Sequence, residues 1–237
     1  MKKMFCVVLI CTSQLTYAKW TVEVAPYIWA SGLSGTQHTA GLKFKVSESF
    51  SELLRELDFG AMLWLAAYHD NAGIFFNGIY SKVSDKLRID RLDIDLKSTL
   101  SIDSLGISYR LGENKEWYFE PYAGARYTLN DNKVTINTLG INQKYNWTDA
   151  IAGTRLNYNV TSAFNVEGAA DYGQGSHSHS YNFTALLGYQ SPHHFKNTRF
   201  YLGYRFLHQN YHHGTGLRYY EWNMNIHGPV AGMLFRF

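Results

Sequence analysis

From Lys19 onward the dominant repeat of this sequence is two residues, and that period constrains the fold more than any other feature. In Trp117 to Leu129, one face reads Trp117, Phe119, Pro121, Ala123, Ala125, Tyr127 and Leu129. The other reads Tyr118, Glu120, Tyr122, Gly124, Arg126 and Thr128. Successive side chains of a strand point to opposite faces, so this segment is a strand with one apolar and one polar side. Phe164 to Gly173 and Arg199 to Leu207 repeat the pattern, and alternation also organises Trp20–Ala30, Trp147–Val160 and His179–Tyr189. It is weaker in Phe59–Tyr68 and Ile74–Val83.

Composition narrows what such strands can build. Of 237 residues, 46% are hydrophobic, 16% aromatic and only 17% charged, which excludes disorder. No stretch offers the roughly 20 consecutive apolar residues of a spanning helix. The start reads as a secretory signal: Lys2 and Lys3, an apolar run from Met4 to Cys11, then Thr16-Tyr17-Ala18. Cleavage after Ala18 is expected, giving a signal peptide over 1–18 and a single domain over 19–237. The alternative, an uncleaved anchor, requires a longer apolar run than this one. Both cysteines, Cys6 and Cys11, fall inside the signal, so the mature chain has no disulfide or zinc–thiolate chemistry. Its loss also removes two lysines and no acid, taking the formal charge from +3 to about +1. That offers nothing to nucleic acid.

Turn formers separate the strands into two kinds of connection. Short ones are Asp70-Asn71-Ala72-Gly73, Gly112-Glu113-Asn114-Lys115, Thr161-Ser162-Ala163 and Ser191-Pro192-His193-His194. Longer or irregular ones are Ser31–Asp58, Ser84–Arg91, Asn130–Asn146, Gln174–Ser178 and Asn210–Gly216. The reading is all-β: a closed antiparallel transmembrane β-barrel of about ten strands, with short periplasmic turns and longer extracellular loops. Within the first long connection, Phe50–Leu57 has helical spacing after Ser47 and Ser49 as N-cap candidates. The apolar phase slips within Leu92–Leu111 and within Tyr219–Phe237, which predicts β-bulges near Asp103 and near Gly228-Pro229. A hidden turn at each place is the alternative, so eight or twelve strands stay open.

The direction of the apolar face separates a membrane barrel from a soluble sandwich. Trp20, Trp29, Trp64, Trp117, Trp147 and Trp222 fall toward strand ends, where amphipathic rings suit a bilayer interface. The opposite faces carry Glu23, Glu120, Asp149, Glu167, Asp171 and Glu221 with Arg126, Arg155, Arg199 and Arg205, charges that can pair inside a closed barrel. Burial of such charges requires partners, and Tyr118, Tyr122 and Tyr201 share the face. A ten-stranded interior is little wider than the eight-stranded kind that side chains fill. A plugged lumen is therefore expected, with a narrow, porin-like solute channel as the alternative.

The ending Met233-Leu234-Phe235-Arg236-Phe237 resembles the terminal strand that the Gram-negative barrel-assembly machinery recognises. Ala25-Pro26-Tyr27-Ile28-Trp29-Ala30-Ser31-Gly32-Leu33, the Phe50–Leu54 and Leu57–Met62 segments, and His227-Gly228-Pro229 resemble a largely uncharacterised family of small outer-membrane barrels. The resemblance implies residence in the bacterial outer membrane after export, contact with its lipid, and a biogenesis partner reading Phe235 and Phe237. It brings no catalytic residues and no cofactor.

Histidine is the one unusual loop residue. His177, His179, His212 and His213 sit in adjacent loops and could hold a divalent metal. Solvated loop histidines are the plainer reading, and no metal is assigned. A lipid A-modifying hydrolase needs Ser, His and an acid within reach. A period-two strand puts His177 and His179 on one face and Ser178 and Ser180 on the other, and Glu221 is the only distant acid. The expectation is a non-enzymatic envelope or surface component whose external ligand the sequence does not identify.

Overall fold

The computed structural model describes residues 20–39, 42–89, 92–112, 116–136, 139–191 and 197–237. The signal segment with both cysteines, and the turn residues Glu113 to Lys115 and Pro192 to His194, lie outside the described residues.

The strands are β1 (Trp20–Trp29), β2 (Gly32–Thr39), β3 (Leu42–Glu48), β4 (Leu57–His69), β5 (Ala72–Ile89) and β6 (Leu92–Tyr109). They continue with β7 (Trp117–Ile136), β8 (Leu139–Asn159), β9 (Phe164–Gln174), β10 (Ser178–Tyr189), β11 (Thr198–His213) and β12 (Tyr220–Arg236). Ten of them close a ring in the order β1-β4-β5-β6-β7-β8-β9-β10-β11-β12, and β12 pairs back onto β1. All pairings are antiparallel, so the sheet has no free edge where it is closed. The ring count agrees with the ten strands expected.

The expected loop Ser31–Asp58 is instead part of the wall. β1 and β2 run along β12 as one line: Glu23 faces Arg236, Trp29 faces Val230, and Gly32 faces His227 without loss of register. Ala30 bridges the break, donating to the Pro229 carbonyl at 2.9 Å. Gly228 makes this possible, because a Cβ there would strike the Ala30 carbonyl oxygen. β3 returns beside β2, and the short helix α1 (Phe50–Arg55) leads down into β4. Ser49 caps that helix in a capping box with Glu52.

Two other expected loops are strands as well. Ser84–Arg91 and Asn130–Asn146 fall largely within the β5–β6 and β7–β8 ladders, which keep one register from end to end. β7 has 20 residues, and at about 3.3 Å per residue it spans ~65 Å. A membrane belt is only about 25 Å tall, so much of this ladder stands outside the bilayer. Gln174–Ser178 is a tight connection, since β9 ends at Gln174 and β10 begins at Ser178. At the opposite end, Asp70 and Asn71 alone join β4 to β5, with Asp70 at a φ of 52°. Thr161 closes its turn by accepting from the Phe164 amide at 3.0 Å.

Neither expected bulge exists. β6 keeps one register with β5 and β7 through Asp103, and β12 keeps one with β11 through Gly228 and Pro229. The register shift is instead at Leu57 and Phe59 in β4. The apolar phase slips because polarity inverts along an unbroken strand. In β12 the even residues face inward throughout; Tyr220, Trp222, Met224 and Ile226 are buried, while the outward residues become apolar only from Pro229 on. β6 behaves alike: Ile102 is buried, whereas Leu105 and Ile107 face outward at 55% and 67% exposure. One stretch of wall is dry outside and polar inside, as lipid requires. The stretch above it is dry inside, like a soluble domain.

Candidate functional site

The interior is the part of the molecule richest in chemistry, and it is built in tiers. Because the strands alternate, every second residue of β1 and β6–β11 points inward, and in the lipid-belted part those residues are mostly polar. At the short-turn end, Glu120 of β7 is fully buried. It accepts from Arg155 Nη1 at 2.5 Å, Arg110 Nε at 3.0 Å and the Tyr68 hydroxyl at 3.2 Å. The Arg110 guanidinium lies 3.7 Å over the Tyr68 ring and 4.6 Å over Tyr118, and reaches Glu23 at 3.5 Å. Arg236 closes the far side, donating to Glu23 Oε1 at 2.7 Å. Arg155 stacks 4.5 Å over Trp64 and stands 3.9 Å from Glu167. Planar guanidinium groups suit such a tier, since they pair with carboxylates and stack on rings at once.

A second tier lies above the first. Asp171 accepts from Arg126 at 2.6 Å, the Tyr122 hydroxyl at 2.9 Å and Asn182 at 3.0 Å. Arg126 also donates to Ser180 at 3.0 Å. Asp149 is fully buried and accepts from the Ser178 and Ser180 hydroxyls. Arg205 donates to Asn182 at 2.8 Å and to Tyr27 at 3.2 Å, and sits 4.8 Å over Trp29. Arg199 stands apart near the turns, bound to Gln190 at 3.1 Å. Between and around the tiers is a cavity of about 160 Å³, lined by Trp64, Tyr118, Glu167, Thr184, Arg205 and their neighbours.

Above the charged tiers the lumen turns apolar. Trp29, Ile79, Ile102, Leu207, Ile226 and Val230 form one cluster. Over it Trp147, Tyr220, Trp222 and Met224 pack together, with Tyr145 stacked on Tyr220 at 3.6 Å and Trp147 on Tyr211 at 4.6 Å.

Nine of the ten charges assigned to the interior by sequence face inward: Glu23, Glu120, Arg126, Asp149, Arg155, Glu167, Asp171, Arg199 and Arg205. Glu221 does not. It alternates with the buried Tyr220 and Trp222 and therefore points to the outer face, opposite His38 and His212. Two inward arginines were missed. Arg110 continues the even phase of Ser104 and Ser108 one step past the end of β6, and Arg236 alternates with Phe235 and Phe237. Both sit in segments, Leu92–Leu111 and Met233–Phe237, that were read for their apolar residues alone.

Three of the four histidines sit near one another, since the His177 ring is 6.4 Å from His213 as well as close to His212. His177 and His212 meet on the outer face at 5.7 Å between ring centres, and His179 lies 5.8 Å from His208. His213 is on the inner side opposite Tyr220, parallel to Tyr211. Among the described residues, no group of three His, Asp, Glu or Cys is placed to hold a metal ion. Ser178 and Ser180 point inward to Asp149, away from the outward His177 and His179, so no Ser–His pair forms there. Phe235 and Phe237 lie on the closing seam, where Val22 and Phe237 exchange backbone hydrogen bonds at 3.0 and 2.9 Å.

No protein-family model and no curated protein matches the sequence. Solved barrels are similar in structure at low sequence identity. The attachment invasion locus protein Ail of Yersinia pestis, solved with the heparin analogue sucrose octasulfate, is 10% identical, with 92% of this chain and 98% of that one covered and a TM-score of 0.41. The transport unit of the Escherichia coli autotransporter AIDA-I is 13% identical, covering 98% and 94%, with a TM-score of 0.43. The N-terminal barrel domain of Pseudomonas aeruginosa OprF is 11% identical, covering 92% and 97%, with a TM-score of 0.34.

Proposed function

We propose that this protein is a bacterial outer-membrane barrel that does not conduct solutes and acts through the part of its wall standing outside the bilayer. The observation that carries this reading is the filled interior: two paired charge tiers below, and an aromatic and aliphatic core above them. A solute entering from the β5–β6 and β7–β8 end meets Trp147, Tyr220, Trp222 and Met224 before it can reach the polar cavity. The role is non-enzymatic, a reading supported by serines that bond to Asp149 in place of a histidine. Residues 1–18 direct export and are then removed, and the assembly machinery reads Phe235 and Phe237 on the terminal strand. The long ladders are the surface through which an external partner is met.

The test is electrical. Purified protein in planar bilayers is expected to leave the membrane silent, while a variant lacking the upper core side chains, Trp222→Ala with Met224→Ala, gives the reference for a loosened lumen. Reproducible conductance steps from the unmodified protein would overturn the closed-lumen reading.

A further inference from the structure

The outer face of β10, β11, β12 and β2 carries a patch that a filled lumen does not explain. Its composition follows row by row from the register. In the lower rows Phe200 lies between Tyr189 and Met233, Leu202 between Leu187 and Ala231, and Phe206 between Phe183 and His227. These residues are the lipid belt. One row higher the chemistry changes: His208 lies between Tyr181 and Asn225, and the next row sets Asn210 between His179 and Asn223. In the top row His212 faces Glu221, Glu221 faces His38, and His38 faces Lys43 of β3. His177 adjoins the same row, its carbonyl accepting from the His212 amide at 3.0 Å. Lys45 follows on the same face of β3 as Lys43.

Six of the ten histidines of the chain thus share one outer face: His38, His177, His179, His208, His212 and His227. Two are fixed by neighbours. His208 Nδ1 is 2.9 Å from Asn225 Oδ1 with its ring stacked on Tyr181, and His227 Nδ1 is 2.8 Å from the Tyr204 hydroxyl. His227 lies in the uppermost apolar row and His208 in the row directly above it, at the height where a lipid changes from acyl chain to headgroup, with His179 one row higher and His38 and His212 in the row above that. Alternating strands give an outer face of this kind either lipid-facing apolar groups or wet polar ones. Here the transition is made by imidazoles, bases able to take up a proton. The charged groups facing them are Lys43 and Lys45 on β3 and the carboxylate Glu221 on β12; His213 stands 6.4 Å from the His177 ring, and Tyr172, Tyr181, Tyr204 and Tyr219 are the neighbouring phenols. The balance is cationic once the imidazoles charge.

We infer that this face holds the phosphate headgroup of an anionic membrane lipid, its acyl chains lying on Phe183, Leu187, Leu202 and Phe206 beneath. The inference rests on the barrel spanning a membrane, as proposed above. Continuity with the lipid belt commits it to a lipid source of phosphate. Each histidine that charges beside an anionic headgroup strengthens retention by about fivefold.

Native mass spectrometry tests this on the full barrel carried in detergent from vesicles of phosphatidylcholine with phosphatidylglycerol. Retained phosphatidylglycerol is expected to rise at least fivefold between about pH 7.5 and about pH 5.5. The double variant His208→Asn, His212→Asn is expected to lose that rise and keep its shifted migration on unheated gels. Equal retention of phosphatidylcholine, a rise unchanged in the double variant, or displacement by inorganic phosphate at equal concentration would each overturn the lipid site. Failure of the membrane-barrel reading is distinguishable, because then neither lipid is retained at any pH and migration does not depend on heating.

Discussion

Glu120→Gln takes one charge from the most crowded part of the lumen while leaving its shape almost unchanged. Glu120 has no exposed surface and serves Arg155 at 2.5 Å, Arg110 at 3.0 Å and Tyr68 at 3.2 Å. A glutamine can still accept from one guanidinium, but its amide hydrogens then face the other, donor against donor. Breaking a buried pair from one side costs about 3–5 kcal/mol. Two contacts soften the loss: Arg110 keeps Glu23 at 3.5 Å, and Arg155 keeps Glu167 at 3.9 Å. The lower end applies, about 3 kcal/mol, or more than ~100-fold in the unfolding constant. Urea titration of the barrel in lipid vesicles, followed by tryptophan fluorescence, measures it. Asp131→Asn, on the outer face of β7 above the belt, is the reference and stays within about 0.5 kcal/mol of the parent. A Glu120→Gln loss no larger than that of Asp131→Asn refutes the claim that the paired tiers hold the barrel together.

The limits of the lipid belt are testable by depth. Leu202→Arg, at a position 63% exposed on the lipid face, should cost about 2–4 kcal/mol, whereas Asn223→Arg, facing outward above the belt, should cost about 0–1; vesicle unfolding titrations compare the two, and equal costs would move the membrane boundary. At α1 the Ser49 hydroxyl, then its backbone amide, hold the Glu52 carboxyl below its ordinary pKa. Because that pKa is depressed in the folded chain, the cap stabilises above the unfolded carboxyl pKa and its contribution is lost as pH falls through the folded one. Ser49→Ala should raise the Glu52 midpoint in an NMR titration and remove this acid-side dependence; an unmoved midpoint rejects the capping box as its cause.

The ring was legible from the sequence because lipid imposes alternation strand by strand, as in Trp117 to Leu129. What was read as loop was polar wall. Asn130-Asp131-Asn132-Lys133 is rich in turn formers, yet each residue has a ladder partner in β6 and β8 that local propensity does not see. The two apparent slips had the same origin. A change of apolar phase is the mark of a bulge if the solvent stays constant along a strand, and here the solvent changes from lipid to water midway. Nine inward charges followed from parity alone. Which acid meets which arginine did not, since Glu23 meets Arg236 across 213 residues of sequence. Glu221 was misplaced because Tyr220, Trp222, Met224 and Ile226 were taken as an outward apolar face, with parity reset at the supposed bulge, whereas they line the interior.

The seam between β1 and β12 also has a kinetic meaning. No contact across it can form until the first and last strands are both in place, so ring closure is the most non-local event in the folding of the chain. Holding ends 213 residues apart carries an entropic cost of about 5 kcal/mol beyond the constant for any loop. The Glu23–Arg236 pair and the backbone exchange between Val22 and Phe237 are the first returns on that cost. Until they form, the nascent sheet offers two open edges to any strand nearby, and the order in which those edges are occupied decides whether one chain closes or two chains join.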